Sequence, residues 1–379
     1  MDQLSRRTMM VGGLGVAGGL LAACNPASNA PTNPATPPAV TSTPSASASV
    51  PADTRPRWPL TGVLMTDPAE GKHAAVAVMV PDNKNEHPQR GIEFADLVFV
   101  ISDGYVDKLG QAATRLMPVF HSSMPTAGCG PVRSVRPVDV PIMAPMTGII
   151  GNASGGPWVI EYHRQNAQYV DGVLDYMSTK GTGSYSIDQS RVYRVGTKVE
   201  YDRAVVCYPI VLAKQTSSFA DGPASLYFPF ATGDAQASTA TGVPATRVVI
   251  PWKRADTYNM SYDYDQATNT YLRSEPWGPH VTSSGTRVAV DNILAIRAEQ
   301  TWVQLLPGLG GLEPNHEIVN SEGSFVYANG GKVVGGHWSK GAVNDPWAFV
   351  LDNGKPLVMA PGRTFVEFPT LDANIQVTA

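Results

Sequence analysis

The sequence has few charged residues, few cysteines and no apolar run long enough to be a dependable membrane span. Only 16% of its 379 residues are charged, and 28 basic and 32 acidic side chains give a formal net charge of −4. Proteins that bind nucleic acid usually present a strongly basic face, so this balance argues against a nucleic-acid partner. The three cysteines and seven histidines show no spacing typical of a zinc site. The sequence therefore predicts no metal and no other cofactor.

The first 23 residues have the pattern of an export signal. A basic start (MDQLSRRTMM) precedes an uncharged, glycine-rich apolar run that is too short to span a membrane dependably. Residues 21–24 (LAAC) resemble a bacterial lipobox, in which the cysteine thiol is alkylated with diacylglycerol before cleavage. Arg6 and Arg7 fit a twin-arginine signal, and the general secretory route stays open. We expect Cys24 to carry a lipid that anchors the protein at the extracytoplasmic face of the cell membrane.

The next segment, residues 24–57, is rich in Pro, Ala, Ser, Thr and Asn and has almost no charge. Such a composition cannot bury enough apolar surface to offset the entropy of ordering, so we expect it to be disordered. With polyproline II character, it could reach on the order of 100 Å. A lipid at one end and a spacer of this reach are typical of a domain held away from a membrane.

The sequence of residues 58–379 predicts an α+β protein with two domains. Residues 58–232 predict a mixed α/β domain, with apolar strand candidates at 72–80, 94–102, 114–122 and 146–154 and helical spacing over 158–177 and 209–219. The low-complexity segment 233–245 is typical of a domain junction. Short β segments around Asn-Gly-Gly and Asp-Asn-Gly turns predict that residues 246–379 form a smaller, largely antiparallel β-rich domain.

Residues 128–141 (GCGPVRSVRPVDVP) place two arginines three residues apart, between prolines. In an extended chain Arg133 and Arg136 would face opposite sides, whereas in a helical turn they would share one side, with Ser134 beside them. Arginine forks bind carboxylate or phosphate through paired hydrogen bonds, and Arg115 is the natural third member of such an anion clasp. The alternative is an internal salt-bridge network with Asp139, Asp96 or Asp103.

If Cys24 carries a lipid, two thiols remain, those of Cys129 and Cys207. An exported chain sits where disulfides persist, and two cysteines are the number that one bridge needs. The apolar run around Cys207 (AVVCYPIV) leaves a buried free thiol as the alternative.

Several motifs resemble the YerB-like lipoprotein family, also described as domain of unknown function 3048. The stretches VAVMVPDNKNEHPQRGIEFADLVF, ATRLMPVFHS and GPVRSVRP resemble its N-terminal domain. The stretches PHVTSSGTRVAVDNILAI and GHWSKGAVNDPWAFVLDNGKPLVMAPGRTFVEF resemble its C-terminal domain. The resemblance covers roughly residues 60–379, and it implies an anchored envelope protein with two α+β domains.

The chain departs from the family pattern at three places. Pro81 separates Asp82 and Asn83 from the first strand, and Val100 stands where members usually carry Glu. A longer loop replaces a Glu-Gly-Gly run before the Thr-Arg pair. If those family acids were catalytic, this chain would lack part of the apparatus, unless the loop folds back and lets Asp103 and Asp107 substitute.

Three functions stay open at this point. The leading hypothesis is non-catalytic binding of an anionic or glycan-like cell-wall component. The second is an extracytoplasmic hydrolase that acts on such material through carboxylates and histidine near Arg115 and Arg133, and paired carboxylates in a deep cleft would favour it. The third is a protein scaffold, which a shallow apolar face on the β-rich part would favour. The sequence identifies neither a catalytic residue nor the oligomeric state.

Overall fold

The computed structural model of the protein describes residues 54–106, 112–233, 235–252 and 258–379. The predicted export signal, Cys24, most of the predicted tether and Asp107 lie outside the described residues. Residues 51–379 form one compact unit, in which strands account for 37% of the residues and helices for 12%. No helix in the described part of the chain is long and apolar enough to cross a membrane.

The strands of the first sequence half follow the predicted apolar runs. In chain order they are β1 Val76–Val78, β2 Val80–Pro81, β3 Leu97–Val106, β4 Ala112–Phe120, β5 Gly148–Gly151, β6 Val170–Asp171, β7 Tyr185–Ile187, β8 Tyr193–Val195, β9 Lys198–Glu200 and β10 Val205–Cys207. The four predicted strands overlap β1 with β2, then β3, β4 and β5. The side chains of β1 and β5 are fully buried, as continuous apolar runs indicate.

The second half is built of strands joined by tight turns. They are β11 Val243–Pro244, β12 Arg247–Pro251, β13 Asn259–Asp265, β14 Thr270–Glu275, β15 Gly278–Pro279, β16 Ala289–Val290, β17 Asn292–Ile296, β18 Glu299–Val303, β19 Glu313–Glu317, β20 Ser321–Asn329, β21 Lys332–Lys340, β22 Ala348–Leu351, β23 Thr364–Glu367 and β24 Gln376–Thr378. Gly330 and Gly331 have φ of 59° and 71°, so the predicted hairpin turn joins β20 and β21 as expected.

The helices are shorter than their periodicity predicts. The α-helices of the described residues are α1 Asp139–Met143, α2 Pro157–Gln165 and α3 Pro209–Leu212, and 3-10 turns span Pro68–Gly71, Lys84–Glu86, Ile92–Phe94, Gln189–Arg191, Ala213–Gln215 and Ser238–Thr241. Helix α2 begins at a proline, which costs no hydrogen bond in the first turn. It ends at Gln165, and the rest of the predicted 158–177 segment continues into β6 and a turn.

One sheet of twelve strands contains both halves of the sequence. Its order is β11-β21-β20-β17-β23-β3-β4-β1-β5-β6, with β2 also on β4 and β22 also on β21. The link between the halves is β23, which runs parallel to β3 and pairs Phe365 with Val98. The segment 233–245, predicted as a domain junction, thus connects two parts of one compact unit.

A second, antiparallel sheet of the order β15-β14-β13-β12-β24, with β16 on β14, contains the strand that leads to the site. Burial along β14 alternates, and its buried residues are Tyr271, Arg273 and Glu275. Two of these three inward side chains are an arginine and a glutamate. Because burying such groups is costly unless they are paired, β14 must meet polar partners from elsewhere in the fold.

Candidate functional site

The predicted clasp arginines Arg115 and Arg136 share an internal carboxylate. Both guanidiniums form ion pairs with Asp103, and Nη2 of Arg136 lies 3.4 Å from its Oδ1. Arg115 also donates to the main-chain carbonyl of Ser134 at 2.5 Å. Asp103 therefore lies where the predicted external anion would bind, and this arrangement is the internal network that the sequence left open.

The third predicted clasp residue, Arg133, belongs to a different group. Its guanidinium forms an ion pair with Glu86 and another with Asp202, whose Oδ2 lies 3.2 Å away. No helix is formed at residues 132–136, and Arg133 and Arg136 pair with different acids. Asp96, another predicted partner, instead accepts backbone hydrogen bonds, including one from Ser122 at 2.7 Å.

A surface pocket of about 480 Å³ includes Arg203, the chain neighbour of Asp202, and basic side chains form much of its wall. We call it the arginine pocket and define it by His87, Arg90, Asp188, Arg191, Tyr193 and Arg203. Arg90 forms an ion pair with Asp188 at 2.7 Å. Arg191 instead donates to a backbone carbonyl, that of Pro88, at 2.6 Å.

Arg203 packs against an aromatic side chain in the wall of the pocket. Its guanidinium carbon lies 4.3 Å from the ring centroid of Tyr193, a cation–π distance. Its Nε is buried and has no hydrogen-bond partner within the part of the chain that the structure describes. Across the same residues, neither Arg191 nor Arg203 forms a direct ion pair with a carboxylate. The pocket therefore presents positive charge.

A buried polar cluster centred on Arg273 lies behind the His87 wall of this pocket. Nη2 of Arg273 lies 2.9 Å from Oδ2 of Asp82, which follows β2 in the first half of the sequence. Nη1 lies 3.0 Å from Oε1 of Glu275 and 2.7 Å from Nδ1 of His280. We call this group the Arg273 cluster, consisting of Asp82, His87, Gln89, Arg273, Glu275 and His280.

Asp82 and Glu275 together hold one proton. Burial raises the pKa of Glu275 to about 10, and the negative charge of Asp82 adds to this shift. Burial acts on Asp82 as well, but Arg273 and His87 hold the pKa of Asp82 well below its usual range. Two buried carboxyl groups that interact this closely do not both ionise. At neutral pH Glu275 therefore carries the proton and Asp82 the charge.

His87 joins the Arg273 cluster to the arginine pocket. Its Nε2 lies 3.1 Å from Oε1 of Glu275 and 3.3 Å from Oδ1 of Asp82. Trp277 packs against the His87 ring edge-on, with centroids 5.1 Å apart. The His87 side chain is 12% exposed, whereas those of Arg273, Asp82, Glu275 and His280 are at most 1% exposed. His87 is thus the side chain through which the cluster can act on a ligand.

Three potential metal ligands meet in this cluster, a grouping that the sequence spacing did not predict. The ligand atoms of His87, Glu275 and His280 lie within 4.8 Å of one another. Arg273, however, donates to both Glu275 and His280. Its positive charge already lies where a cation would bind, so these residues fit a guanidinium better than a metal ion.

Cys129 and Cys207 lie opposite each other in an antiparallel bridge. The amide of Cys129 donates to the carbonyl of Cys207 at 2.7 Å, and the reverse hydrogen bond measures 2.9 Å. Residues paired in this way have Cα atoms about 5.5 Å apart, which is within the range that a disulfide needs. Both thiols are buried and free in this structure, so the disulfide stays a prediction.

Two family profiles match the chain, one in each half. Residues 60–201 match the profile described as protein of unknown function (DUF3048) N-terminal domain, and residues 248–366 match that of the DUF3048 C-terminal domain. The chain therefore belongs to the DUF3048 family, and the resemblance inferred from its motifs is confirmed.

A solved structure shares the fold. The crystal structure of the YerB protein from Bacillus subtilis is similar with a TM-score of 0.65 and 22% sequence identity, over 85% of this chain and 100% of that chain. At this identity the similarity establishes the fold alone. Among curated proteins, none matches this chain significantly.

Sequence reasoning missed most of the Arg273 cluster, although the family motifs held a signal. Asp82, His87 and Gln89 all lie in the first motif of the N-terminal half, and His280 lies in the first motif of the C-terminal half. The polar residues shared by these two motifs could have indicated that the motifs meet. Neither motif contains Arg273, which joins them.

Proposed function

We propose that this protein is a lipid-anchored, extracytoplasmic envelope protein of the α+β class that binds an anionic cell-wall component without altering it. The arginine pocket carries this proposal, because Arg191 and Arg203 present charge there without a direct carboxylate partner. Guanidinium groups bind phosphate and carboxylate through paired, charge-assisted hydrogen bonds. In a chain of net charge −4, a local basic pocket is a specific feature rather than a consequence of composition.

The proposed site adjoins the predicted clasp instead of coinciding with it. An anion that reached Arg115 and Arg136 would have to displace Asp103, which both arginines bind. Arg133 pairs with Asp202, the chain neighbour of Arg203. The clasp arginines are therefore occupied by internal acids, and the ligand binds in the arginine pocket, which contains the chain neighbour of Asp202.

Replacing Arg203 by glutamine tests this proposal. We expect Arg203→Gln to weaken binding of a purified anionic wall polymer roughly 10- to 100-fold, because a charge-assisted hydrogen bond contributes about 1.5–3 kcal/mol. The measurement is calorimetric titration at low and physiological salt, with a phosphodiester-linked polymer and a polyuronate as separate probes. Arg194→Gln is the matched control, since Arg194 is exposed on the neighbouring β8 and does not line the pocket.

If the Arg203→Gln variant and the wild type bind the polymer equally well, the anionic ligand does not bind in the arginine pocket. Equal loss in the Arg194→Gln control would indicate a diffuse electrostatic attraction instead of a site. Preference for the phosphodiester or the polyuronate probe identifies the anion.

The anchoring part of the proposal predicts that Cys24→Ala releases the protein from the membrane fraction or blocks its processing, because the proposed lipid is attached through the thiol of Cys24. Membrane fractionation and intact mass of the cellular protein measure this, with Ser28→Ala as the control. Retention and mass like those of the wild type would contradict lipidation at Cys24.

A hydrolase is the second candidate, since the coupled carboxyl groups of Asp82 and Glu275 meet His87 at a pocket wall. The scaffold hypothesis also stays a prediction, and no contact in the described residues favours it over binding.

A further inference from the structure

We propose that a second pocket, beside Trp58, binds an uncharged sugar ring of the same wall polymer whose anionic group binds in the arginine pocket. The sugar site stands on its own geometry, whereas its place on an anionic polymer rests on the proposed function. The pocket has a volume of about 570 Å³, which is within the range of small-ligand sites. We call it the Trp58 pocket and define it by Trp58, Glu70, His73, His121, Ile210 and Lys214.

The first argument is the indole ring of Trp58, which forms part of the pocket wall. The backbone of Trp58 is fixed in a turn, because its amide donates to the carbonyl of Val63 at 2.8 Å and its carbonyl accepts from Gly62 at 2.8 Å. The indole meets the imidazole of His121 with centroids 5.2 Å apart and planes at 85°, so the two rings are not stacked. The side chain is only half-buried. A tryptophan held in this way offers an apolar surface on which the C–H face of a sugar ring can pack.

The second argument is the indole N–H of Trp58. The buried tryptophans Trp158, Trp252, Trp338 and Trp347 each donate their indole N–H to an acceptor in the protein. Among the described residues, the indole N–H of Trp58 has no such acceptor. Because a tryptophan N–H needs a partner when the ring is covered, a ligand that covers Trp58 must supply an acceptor, as a sugar hydroxyl does.

The third argument is the pair of opposite charges on the rim of the pocket. Asp67 caps the 3-10 turn that carries Glu70, and Lys214 lies one helical turn after Ile210. Within the described part of the chain, neither Glu70 nor Lys214 forms a side-chain hydrogen bond or an ion pair. A carboxylate accepts from hydroxyl groups, and an ammonium donates to them. The two charges balance, so the rim offers polar contacts without selecting an ion of one sign.

The fourth argument is that the most buried wall of the pocket is uncharged. Nε2 of His121 lies 3.0 Å from the carbonyl of Gly71, which can only accept, so Nε2 carries the ring proton. Burial, together with the nearby His73, lowers the pKa of His121 to about 4. His121 is therefore neutral at neutral pH, unlike the arginines of the other pocket. This wall suits an uncharged ring better than an anion.

One polymer can reach both pockets. Arg203 lines the arginine pocket and Ile210 lines the Trp58 pocket, and β10 connects these two residues. Seven residues span at most about 25 Å, so a short oligosaccharide that carries anionic groups can contact the two pockets at once.

The test uses full-length protein in a polyoxyethylene detergent, which carries no sugar, with chitotetraose and cellotetraose as uncharged probes. We expect calorimetric titration to detect binding of at least one probe, with the same Kd at low and high salt, since no ion pair forms. Trp58→Ala should weaken this binding roughly tenfold or more. Trp302→Ala is the matched control, because that tryptophan is 53% exposed on β18 and does not line the pocket.

A second variant tests the polar rim. Glu70→Gln should weaken binding of the tetrasaccharide roughly tenfold, because an ionised acceptor forms stronger hydrogen bonds than an amide. Glu299→Gln on β18 is its control. Since Glu70 is exposed, this variant decides the question even if Trp58→Ala fails to fold.

The outcomes separate this inference from the proposed function. If neither tetrasaccharide binds while the anionic polymer still does, the sugar site is overturned and the proposed function stands. If a tetrasaccharide binds through Trp58 but the anionic polymer does not bind, the proposed function fails and the sugar site stands. Tetrasaccharide binding that is unchanged in both Trp58→Ala and Glu70→Gln, or binding of a zwitterionic dipeptide in place of the sugars, would overturn the assignment of the Trp58 pocket.

Discussion

Arg273→Met is expected to destabilise the folded protein by about 3–5 kcal/mol at pH 7, the cost of removing one partner from a buried ion pair. Arg273 is fully buried and binds Asp82, Glu275 and His280 at once. Without it, Asp82 keeps its burial but loses the cation that maintains its charge. Urea unfolding at pH 7 measures the difference.

The pH dependence of this effect has a definite sign. The pKa of Asp82 is lowered in the folded protein, so its contribution to stability is present above its ordinary pKa of about 4 and is lost as pH falls below that value. The deficit of Arg273→Met should therefore shrink as the pH falls below about 4, toward the lowered pKa of Asp82. A deficit below about 1 kcal/mol at pH 7 would show that the cluster does not hold the fold together.

Glu275→Gln is the matched control for the Arg273 variant. Because Glu275 already carries a proton at neutral pH, an amide of the same shape replaces a neutral group. We expect a change within about 1 kcal/mol, since no buried charge loses its partner. A loss as large as that of Arg273→Met would mean that Glu275 is ionised in the folded protein.

The same cluster shows what the sequence could and could not predict. Unbroken apolar runs located β1, β3 and β5, and Asn-Gly turns located the β20–β21 hairpin, because these signals are local. The sequence did not reveal which face of β14 is buried. Leu272 on one face is apolar, whereas Arg273 and Glu275 on the other face point inward. Alternation alone would have assigned the opposite face to the interior.

The acidic partners of the predicted clasp arginines could not be predicted from the sequence for a related reason. The spacing in residues 130–137 placed Arg133 and Arg136 near each other along the chain, and Arg115 was the predicted third member of the clasp. The partner that Arg115 and Arg136 share, Asp103, lies where the register of β3 and β4 shifts between Ser102 and Val106. Such an irregularity follows from tertiary packing rather than from local pattern, and it decides which acid the arginines meet.

Reduction of a Cys129–Cys207 disulfide is expected to cost about 4–4.5 kcal/mol, the chain-entropy value for a loop of about 79 residues. The two residues already exchange both backbone hydrogen bonds, so a bridge needs little backbone movement. Gly151 contributes to the fit, since a Cβ there would lie 2.7 Å from the Cys207 sulfur. The bridge would fasten β10 to the arginine-bearing segment that follows Cys129.

The timing of oxidation follows from burial. Burial raises the pKa of both thiols well above the usual range, and the thiolate is the reactive form. The bridge should therefore form while the chain is still folding in an oxidising compartment, and folded protein purified from a reducing compartment should stay unbridged.

The measurement is alkylation of exported, urea-unfolded protein with and without reduction, read by intact mass, followed by urea unfolding of each form. We expect two labelled thiols only after reduction, together with the loss of about 4 kcal/mol. Cys129→Ala and Cys207→Ala single variants control for lost packing, because reduction should not change their stability. Two labelled thiols without reduction would mean that both cysteines remain free. The two thiols would then pack in the core as small apolar side chains.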